Sequence, residues 1–202
     1  MNKQETIPLM EAFFTIQGEG FHSGRAAFFI RTAGCDVGCV WCDVKESWDE
    51  TKHPKTAIED IIAQVKESET DFVVITGGEP TMYDLGPLTA ALKKIGMEIA
   101  IETSGAYPMT GEIDWVCLSP KKFKKPLEEI YLKADELKMI IFNTSDFKWS
   151  EELMQKVRPS CKLYLQTEWD KSDKMLPLII DYVKAHTEWN ISLQTHKFLN
   201  IP

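Results

Sequence analysis

From Ala26 onward the chain alternates short runs of apolar, β-prone residues with stretches whose apolar positions recur at helical spacing. The runs are AAFFIRTAG from Ala26, DFVVITGGEP from Asp71, MEIAIETSG from Met97, DWVCLSPK from Asp114, ELKMIIFN from Glu136, KLYLQTE from Lys162 and WNISLQTHK from Trp189. Their continuous apolar character suits strands covered on both faces, as in a parallel sheet. Thr56 to Ser68 places Ile58, Ile61, Ile62 and Val65 on one face, with Thr56 and Glu59 at capping-box spacing, and predicts a helix. Leu85 to Ile95, Ser150 to Val157 and Asp173 to Ala185 also read as helices, whereas 116–136 reads as helix-free.

Strands alternating with helices predict an α/β fold with right-handed crossovers. A complete eightfold barrel takes roughly 250 residues. This chain has 202, and one crossover is stripped down. The expectation is a single domain over 1–202, built as an incomplete TIM-like barrel of mostly parallel strands.

In such sheets ligands gather at the carboxyl ends of the strands. Those ends carry Arg31, Thr76-Gly77-Gly78-Glu79, Glu102-Thr103-Ser104-Gly105, Ser119-Pro120-Lys121, Gln166 with Glu168, and Gln194 with His196. Six polar tails on one rim mark that rim as the candidate site.

Charge and cysteine usage narrow the chemistry. A net charge of −8 argues against nucleic acid as the direct partner, because phosphate binding needs a surplus of Lys and Arg on some face. The basic stretch PKKFKKP (Pro120 to Pro126) reads as a solvated loop. The first residues, MNKQETIPLMEAFF, hold no apolar core of signal-peptide length, and no later stretch reaches the roughly 18 apolar residues of a membrane span. The expectation is a cytoplasmic protein without membrane contact. Thiols stay reduced there, so clustered cysteines indicate metal or redox chemistry rather than disulfides. Cys117 and Cys161 lie in or beside apolar runs and read as core.

Cys35, Cys39 and Cys42 fall within eight residues of RTAGCDVGCVWCDV. A structural zinc site wants four protein ligands, usually as two separated pairs. This loop has three thiols and no second pair, with Asp43 or His22 as improvised fourth ligands. A dithiol at Cys39 and Cys42 leaves Cys35 without a role. A cubane iron–sulfur cluster fits better: three thiolates hold three irons and leave the fourth open. Gly34 and Gly38 let the backbone curl around it.

The C-x3-C-x2-C spacing, with Trp41 before the last cysteine, resembles the signature of radical S-adenosylmethionine enzymes, and TGGEP (Thr76 to Pro80) resembles their second motif. FFTIQGEG (Phe13 to Gly20), IETSG, IDWVCLSPK, ELKMIIFN and QTHKFLNIP extend the likeness over nearly the whole chain, and together resemble the 7-carboxy-7-deazaguanine synthase family. The resemblance implies a [4Fe–4S] cluster on Cys35, Cys39 and Cys42, whose open iron is chelated by S-adenosylmethionine. It implies radical conversion of 6-carboxy-5,6,7,8-tetrahydropterin to 7-carboxy-7-deazaguanine, with ring contraction and loss of ammonia, for queuosine and related deazapurines. No protein radical is expected. A homodimer is expected from the family, and the chemistry suggests a reductant protein such as flavodoxin.

Residue by residue, the resemblance places Trp41, Cys42 and Asp43 at the adenine and cluster, Gly78 and Glu79 at the methionine, and Ser104 near its polar end. Ser119, Pro120, Lys121, Gln166 and Glu168 line the ribose and carboxylate side. Ile16, Gln17, Gly18, Glu19, Arg31, Thr76, His196 and Pro202 go to the pterin. Their chemistry suits it: Gln17 donates and accepts, Glu19 accepts from N–H groups, and the backbone of Ile16 and Gly18 closes in. Arg31 suits a substrate carboxylate, with a structural salt bridge as its alternative. His196 and the terminal carboxylate of Pro202 match family positions, and the chain stopping at NIP fits that role; a last strand with a packed histidine is the other reading.

One position departs. The family commonly has a hydroxyl residue after the Cys-Asp pair, where it ligates Mg²⁺; here Val44 offers no side-chain oxygen. Binding through substrate and water, replacement by Lys45, or no requirement all remain open, and the expectation is weak or absent Mg²⁺ dependence. Two other readings of the whole chain stand beside this one: a glycyl-radical-activase-like enzyme, and a zinc-stabilised binding protein without turnover.

Overall fold

The structure is a computed structural model and describes residues 5–202. The strands are β1 (Thr6–Ile16), β2 (Ala26–Thr32), β3 (Lys55–Ala57), β4 (Phe72–Gly77), β5 (Glu98–Thr103), β6 (Trp115–Leu118), β7 (Glu136–Ile141), β8 (Lys162–Thr167) and β9 (Trp189–Ser192). The helices are α1 (Ile58–Glu67), α2 (Gly86–Lys94), α3 (Glu128–Lys133), α4 (Ser145–Met154), α5 (Ser172–Ala185) and α6 (Thr195–Leu199).

All nine strands form one sheet in the order β3-β1-β2-β4-β5-β6-β7-β8-β9. Every apolar run of the sequence is a strand, and all pairings from β2 to β9 are parallel. β3 and β9 remain as unpaired edges, so the barrel is open, as its length predicts. The hairpin β1–β2 and the short β3 are antiparallel additions that the sequence pattern did not announce.

Alternation along each strand separates an oily outside from a mixed inside. Ile30, Ile75, Ile99 and Ile101 pack outward against Ile61, Val65, Leu88 and Leu92 of α1 and α2. Leu137, Met139, Leu163 and Leu165 pack outward against Ile130, Leu153, Met175 and Ile179 of α3, α4 and α5. Each such side chain contributes about 1.5–3 kcal/mol by leaving water. Cys117 and Cys161 are buried, as expected.

Inside, near the strand starts, Ala27, Phe72, Val74 and Ala100 pack with Phe29 and Trp115. The β1–β2 loop caps this layer: Phe21 stacks on Trp115 at 4.6 Å between ring centroids, and His22 meets the same ring edge-on. Most of the remaining inward positions are polar, and with Ile140 of β7 they line the cavity at the strands' carboxyl ends.

Four local expectations are corrected. Thr56 caps nothing, because it pairs with Ile7 in β3 and Ala57 precedes α1 without a side-chain cap. A short helix, α3, occupies part of the span expected to be helix-free. Helix α4 begins at Ser145, five residues before the apolar spacing suggests, and ends at Met154. Asp146 organises that start by accepting from Phe142 N and Asn143 N, each at 2.8 Å. The QTHK segment leaves β9 and turns into α6 rather than continuing as strand.

Candidate active site

A cavity of about 510 Å³ opens at the carboxyl ends of the strands, and Cys35, Cys39 and Cys42 lie in its wall. The cysteine loop follows β2 and is pinned at its base, where Gly34 N donates to Ser47 O at 2.6 Å and Cys35 N to Trp48 O at 3.1 Å. Burial raises the Cys35 thiol above its ordinary pKa, and raises Cys39 to about 11 despite the nearby Lys121 ammonium. Among the described residues no three His, Cys, Asp or Glu side chains gather as ligands of a single metal ion.

The glycines of TGGEP are there for contact. Gly78 N donates to Thr32 O and Glu79 N to Gly34 O, both at 2.9 Å. A Cβ on Gly78 would lie 2.2 Å from Gly34 O, and one on Gly77 (φ +136°) 2.2 Å from Thr32 O. No side chain fits at either position.

Glu79, expected to face the methionine, lines the cavity, and its carboxylate is bound to the scaffold. Oε1 accepts from Thr81 N, Thr81 Oγ1 and Thr103 Oγ1, and Oε2 accepts from the backbone amide and hydroxyl of Ser104. It staples the end of β4 to β5 and the loop after it, and so fixes the strand-end backbone at the cavity.

The floor is a charged triad. Lys138 Nζ lies 2.5 Å from Glu19 Oε2 and 2.6 Å from Glu102 Oε2. The other oxygens are held by amides: Gln194 Nε2 donates to Glu19 Oε1 at 2.9 Å, and Gln17 Nε2 to Glu102 Oε1 at 3.1 Å. Burial alone would raise the Glu19 carboxyl, but Lys138 and the hydrogen bonds overcome it and hold the pKa at about 2. Glu102 and Gln194 read in the sequence as polar tails of the rim with no ligand assigned to them, and Lys138 is not singled out there. Lys138 is hidden in the apolar run ELKMII, where only its inward register places it in the site.

Around the rim, Arg31 lies beside Thr76 across the β2–β4 pairing. Its Nε is 2.7 Å from Glu11 Oε1 without the alignment of a hydrogen bond. The salt-bridge alternative is therefore real, yet the guanidinium also lines the cavity. Ile16, Gln17, Gly18, Thr76, His196 and Pro202 line it as well. Thr195 N and Oγ1 both donate to Gly18 O, which brings α6 against the β1–β2 loop. A Cβ on Gly18 would lie 2.3 Å from His196 Nδ1. Burial pushes the His196 imidazole below its ordinary pKa, against the pull of Glu19.

Trp41, Asp43, Gly78, Ser104, Ser119, Lys121, Gln166 and Glu168 also line the cavity. Lys121 Nζ donates to Ser119 O and Oγ, and its own pKa is lowered by burial. Gln166 Oε1 accepts from Ser192 Oγ at 2.6 Å, which leaves its amide N–H groups for the cavity. Glu168 caps the following turn with Oε1, while its buried Oε2 has no hydrogen-bond partner among the described residues. Pro120 is the exception among the expected residues: it is buried and does not line the cavity.

These residues fit an iron–sulfur cluster with a chelating cofactor. Three thiols border one cavity, two glycines bring strand-end backbone against the loop, and an unpartnered carboxylate oxygen awaits a hydroxyl or N–H donor. Mg²⁺ does not fit beside them. Val44 has no side-chain oxygen, and Asp43 Oδ2 faces Lys197 Nζ at 3.3 Å.

Comparison with known proteins agrees with this geometry. The family model described as the radical SAM superfamily matches residues 29–125. The protein named 7-carboxy-7-deazaguanine synthase of Flavobacterium psychrophilum is 54% identical over 202 residues, covering 100% of this chain and 96% of that one. Its namesake from Synechocystis sp. is 48% identical over 97% of this chain and 94% of its own. The crystal structure of QueE from Escherichia coli matches with a TM-score of 0.82 and 32% identity, covering 93% of each chain. The chain belongs to the 7-carboxy-7-deazaguanine synthase family of radical S-adenosylmethionine enzymes.

Proposed function

We propose that this enzyme converts 6-carboxy-5,6,7,8-tetrahydropterin to 7-carboxy-7-deazaguanine, with the pterin over the Glu19–Lys138–Glu102 floor and the cofactor between the cysteine loop and β5–β8. The observation that carries the reading is the pairing of a carboxylate floor with an arginine on the rim. The floor accepts hydrogen bonds from the donor edge of the pterin, and Arg31 meets the substrate carboxylate. The bound cluster and S-adenosylmethionine supply one-electron reduction and a hydrogen-abstracting radical; the protein supplies position and exclusion of water.

In this reading Cys35, Cys39 and Cys42 hold the cluster, and strand-end backbone at Gly78 receives the methionine amino group. Gln166 and Glu168 take the polar atoms of the nucleoside. Ile16, Gly18, His196 and Pro202 close over the pterin. Mg²⁺ has no protein ligand at Val44, and turnover proceeds without it. The electron enters from a small reductant protein such as flavodoxin, at the face where Val40 is 66% exposed on the cysteine loop. The enzyme works as a homodimer, for which the exposed Phe198 and Leu199 of α6 provide apolar surface. No helix among the described residues is long and apolar enough to cross a membrane.

The test is anaerobic reconstitution with iron and sulfide, then reaction with S-adenosylmethionine, a reductant and the tetrahydropterin, read by mass spectrometry. The expected result is 7-carboxy-7-deazaguanine without matching consumption of S-adenosylmethionine. Formation of 5′-deoxyadenosine without that product overturns the substrate and keeps the radical chemistry. A colourless protein after reconstitution overturns both.

A further inference from the structure

Lys138 is only 2% exposed and stands at an inward position of β7. An apolar side chain there would complete the barrel interior at lower cost, since buried ion pairs lose about as much in desolvation as they gain in attraction. The chain instead desolvates three charges to place one ammonium between two carboxylates that come from distant segments, Glu19 after β1 and Glu102 at the end of β5. We propose that Lys138 is a positioning residue: it keeps Glu19 and Glu102 simultaneously ionised and fixed as a two-carboxylate acceptor for the N–H edge of the substrate. The inference rests on the pterin reading above.

The hydrogen-bond count supports a functional acceptor. Each carboxylate has one oxygen on Lys138 and the other on a glutamine amide. A carboxylate has about four lone-pair sites, so each retains acceptor capacity, and both line the cavity. Two carboxylates against one ammonium leave the floor with a single net negative charge. That favours a donor edge and turns a ligand's own carboxylate away, toward Arg31 on the rim. Lys138 thereby sets orientation without touching the reacting atoms.

The surroundings make its charge necessary. Besides Glu19 and Glu102, the groups that face Lys138 are Glu136 on β7 and Cys117 on β6, with Lys121 after β6 and His196 on α6 nearby. Burial holds Glu136 above the ordinary carboxylate range. Without the ammonium, two carboxylates face each other across a buried gap, where burial and like charge favour a bound proton. A protonated carboxyl donates where the substrate needs an acceptor.

The test compares wild type, Lys138→Met, Lys138→Arg and the double variant Glu19→Gln/Lys138→Met as reconstituted holoenzymes. Cluster absorbance, melting temperature and kcat/KM for the tetrahydropterin are measured across pH 6–9. For Lys138→Met we expect cluster absorbance as in wild type, a fall of about 100-fold in kcat/KM near neutral pH, and recovery toward alkaline pH. Lys138→Arg recovers about tenfold of that loss, because the charge is restored in a different shape. The double variant relieves the repulsion and regains melting temperature, but not turnover. A Lys138→Met enzyme with wild-type kcat/KM and pH profile overturns the inference. So does one whose turnover returns together with stability in the double variant, which makes Lys138 a strut of the interior. A wild type that yields no deazaguanine under the same conditions overturns the pterin reading itself.

Discussion

The Glu79 carboxylate ties the end of β4 to the loop after β5 through Ser104, whose backbone amide donates to Oε2 at 2.8 Å. Thr81 and Thr103 complete the same clasp on Oε1. Glu79→Ala leaves these buried donors without an acceptor, at a cost of about 3 kcal/mol. For a chain of this size that lowers the melting temperature by roughly 6–12 °C. Iron bound per chain should fall in parallel, because the cysteine loop hangs from the same backbone through Glu79 N and Gly34 O. A variant with wild-type melting and full iron would show that the clasp is dispensable.

Arg31 divides its guanidinium between Glu11 and the cavity. Arg31→Ala removes a charge-assisted partner of the substrate carboxylate, and we expect KM to rise about 100-fold with little change in cofactor cleavage in the absence of substrate. Arg31→Lys should recover only part of this, because an ammonium lacks the planar fork. Steady-state kinetics on both variants read the difference; an unchanged KM in Arg31→Ala assigns the residue to structure alone.

Val44 removes the hydroxyl that would hold a divalent cation. Stripping divalent ions with a chelating resin should therefore leave turnover nearly unchanged in the wild type, and Val44→Thr should acquire a response to added Mg²⁺. A clear fall in wild-type turnover on stripping, reversed by Mg²⁺, would place the ion on substrate and water.

Glu19 makes part of the fold's stability depend on acid. Its pKa is lowered from 4.5 to about 2 in the folded chain. A depressed folded-state value means stabilisation that is fully present above the unfolded value and is lost as pH falls through the folded one. Melting temperature should decline between pH 4.5 and 2, and Glu19→Gln should flatten that decline while lowering stability at neutral pH. Thermal melts of the two proteins at pH 3 and pH 6 check both parts.

What could be read from the sequence was what is local. The three cysteines and TGGEP declare themselves by spacing, and each strand's terminal polar tail marks its ligand end, so the cavity wall was legible from Cys35 to His196. What depends on partners far along the chain was not. Lys138 looks like an isolated charge in an apolar strand until Glu19 and Glu102 are placed on either side of it. The clasp that Glu79 makes is equally hidden until Ser104 and Thr103 are seen on its two oxygens. Thr56 sits at helix-cap spacing, but a strand on the opposite side, β1, claims its backbone first. Local propensity lost to tertiary pairing in each case.

The contact between Thr195 and Gly18 spans 177 positions of sequence. During synthesis the β1–β2 loop emerges long before the segment that seals it. Loop-closure entropy and high contact order therefore make this wall of the cavity late to form. The thiol loop precedes that segment by about 150 positions, so iron loading would proceed on an open bowl and pterin capture only on the sealed one.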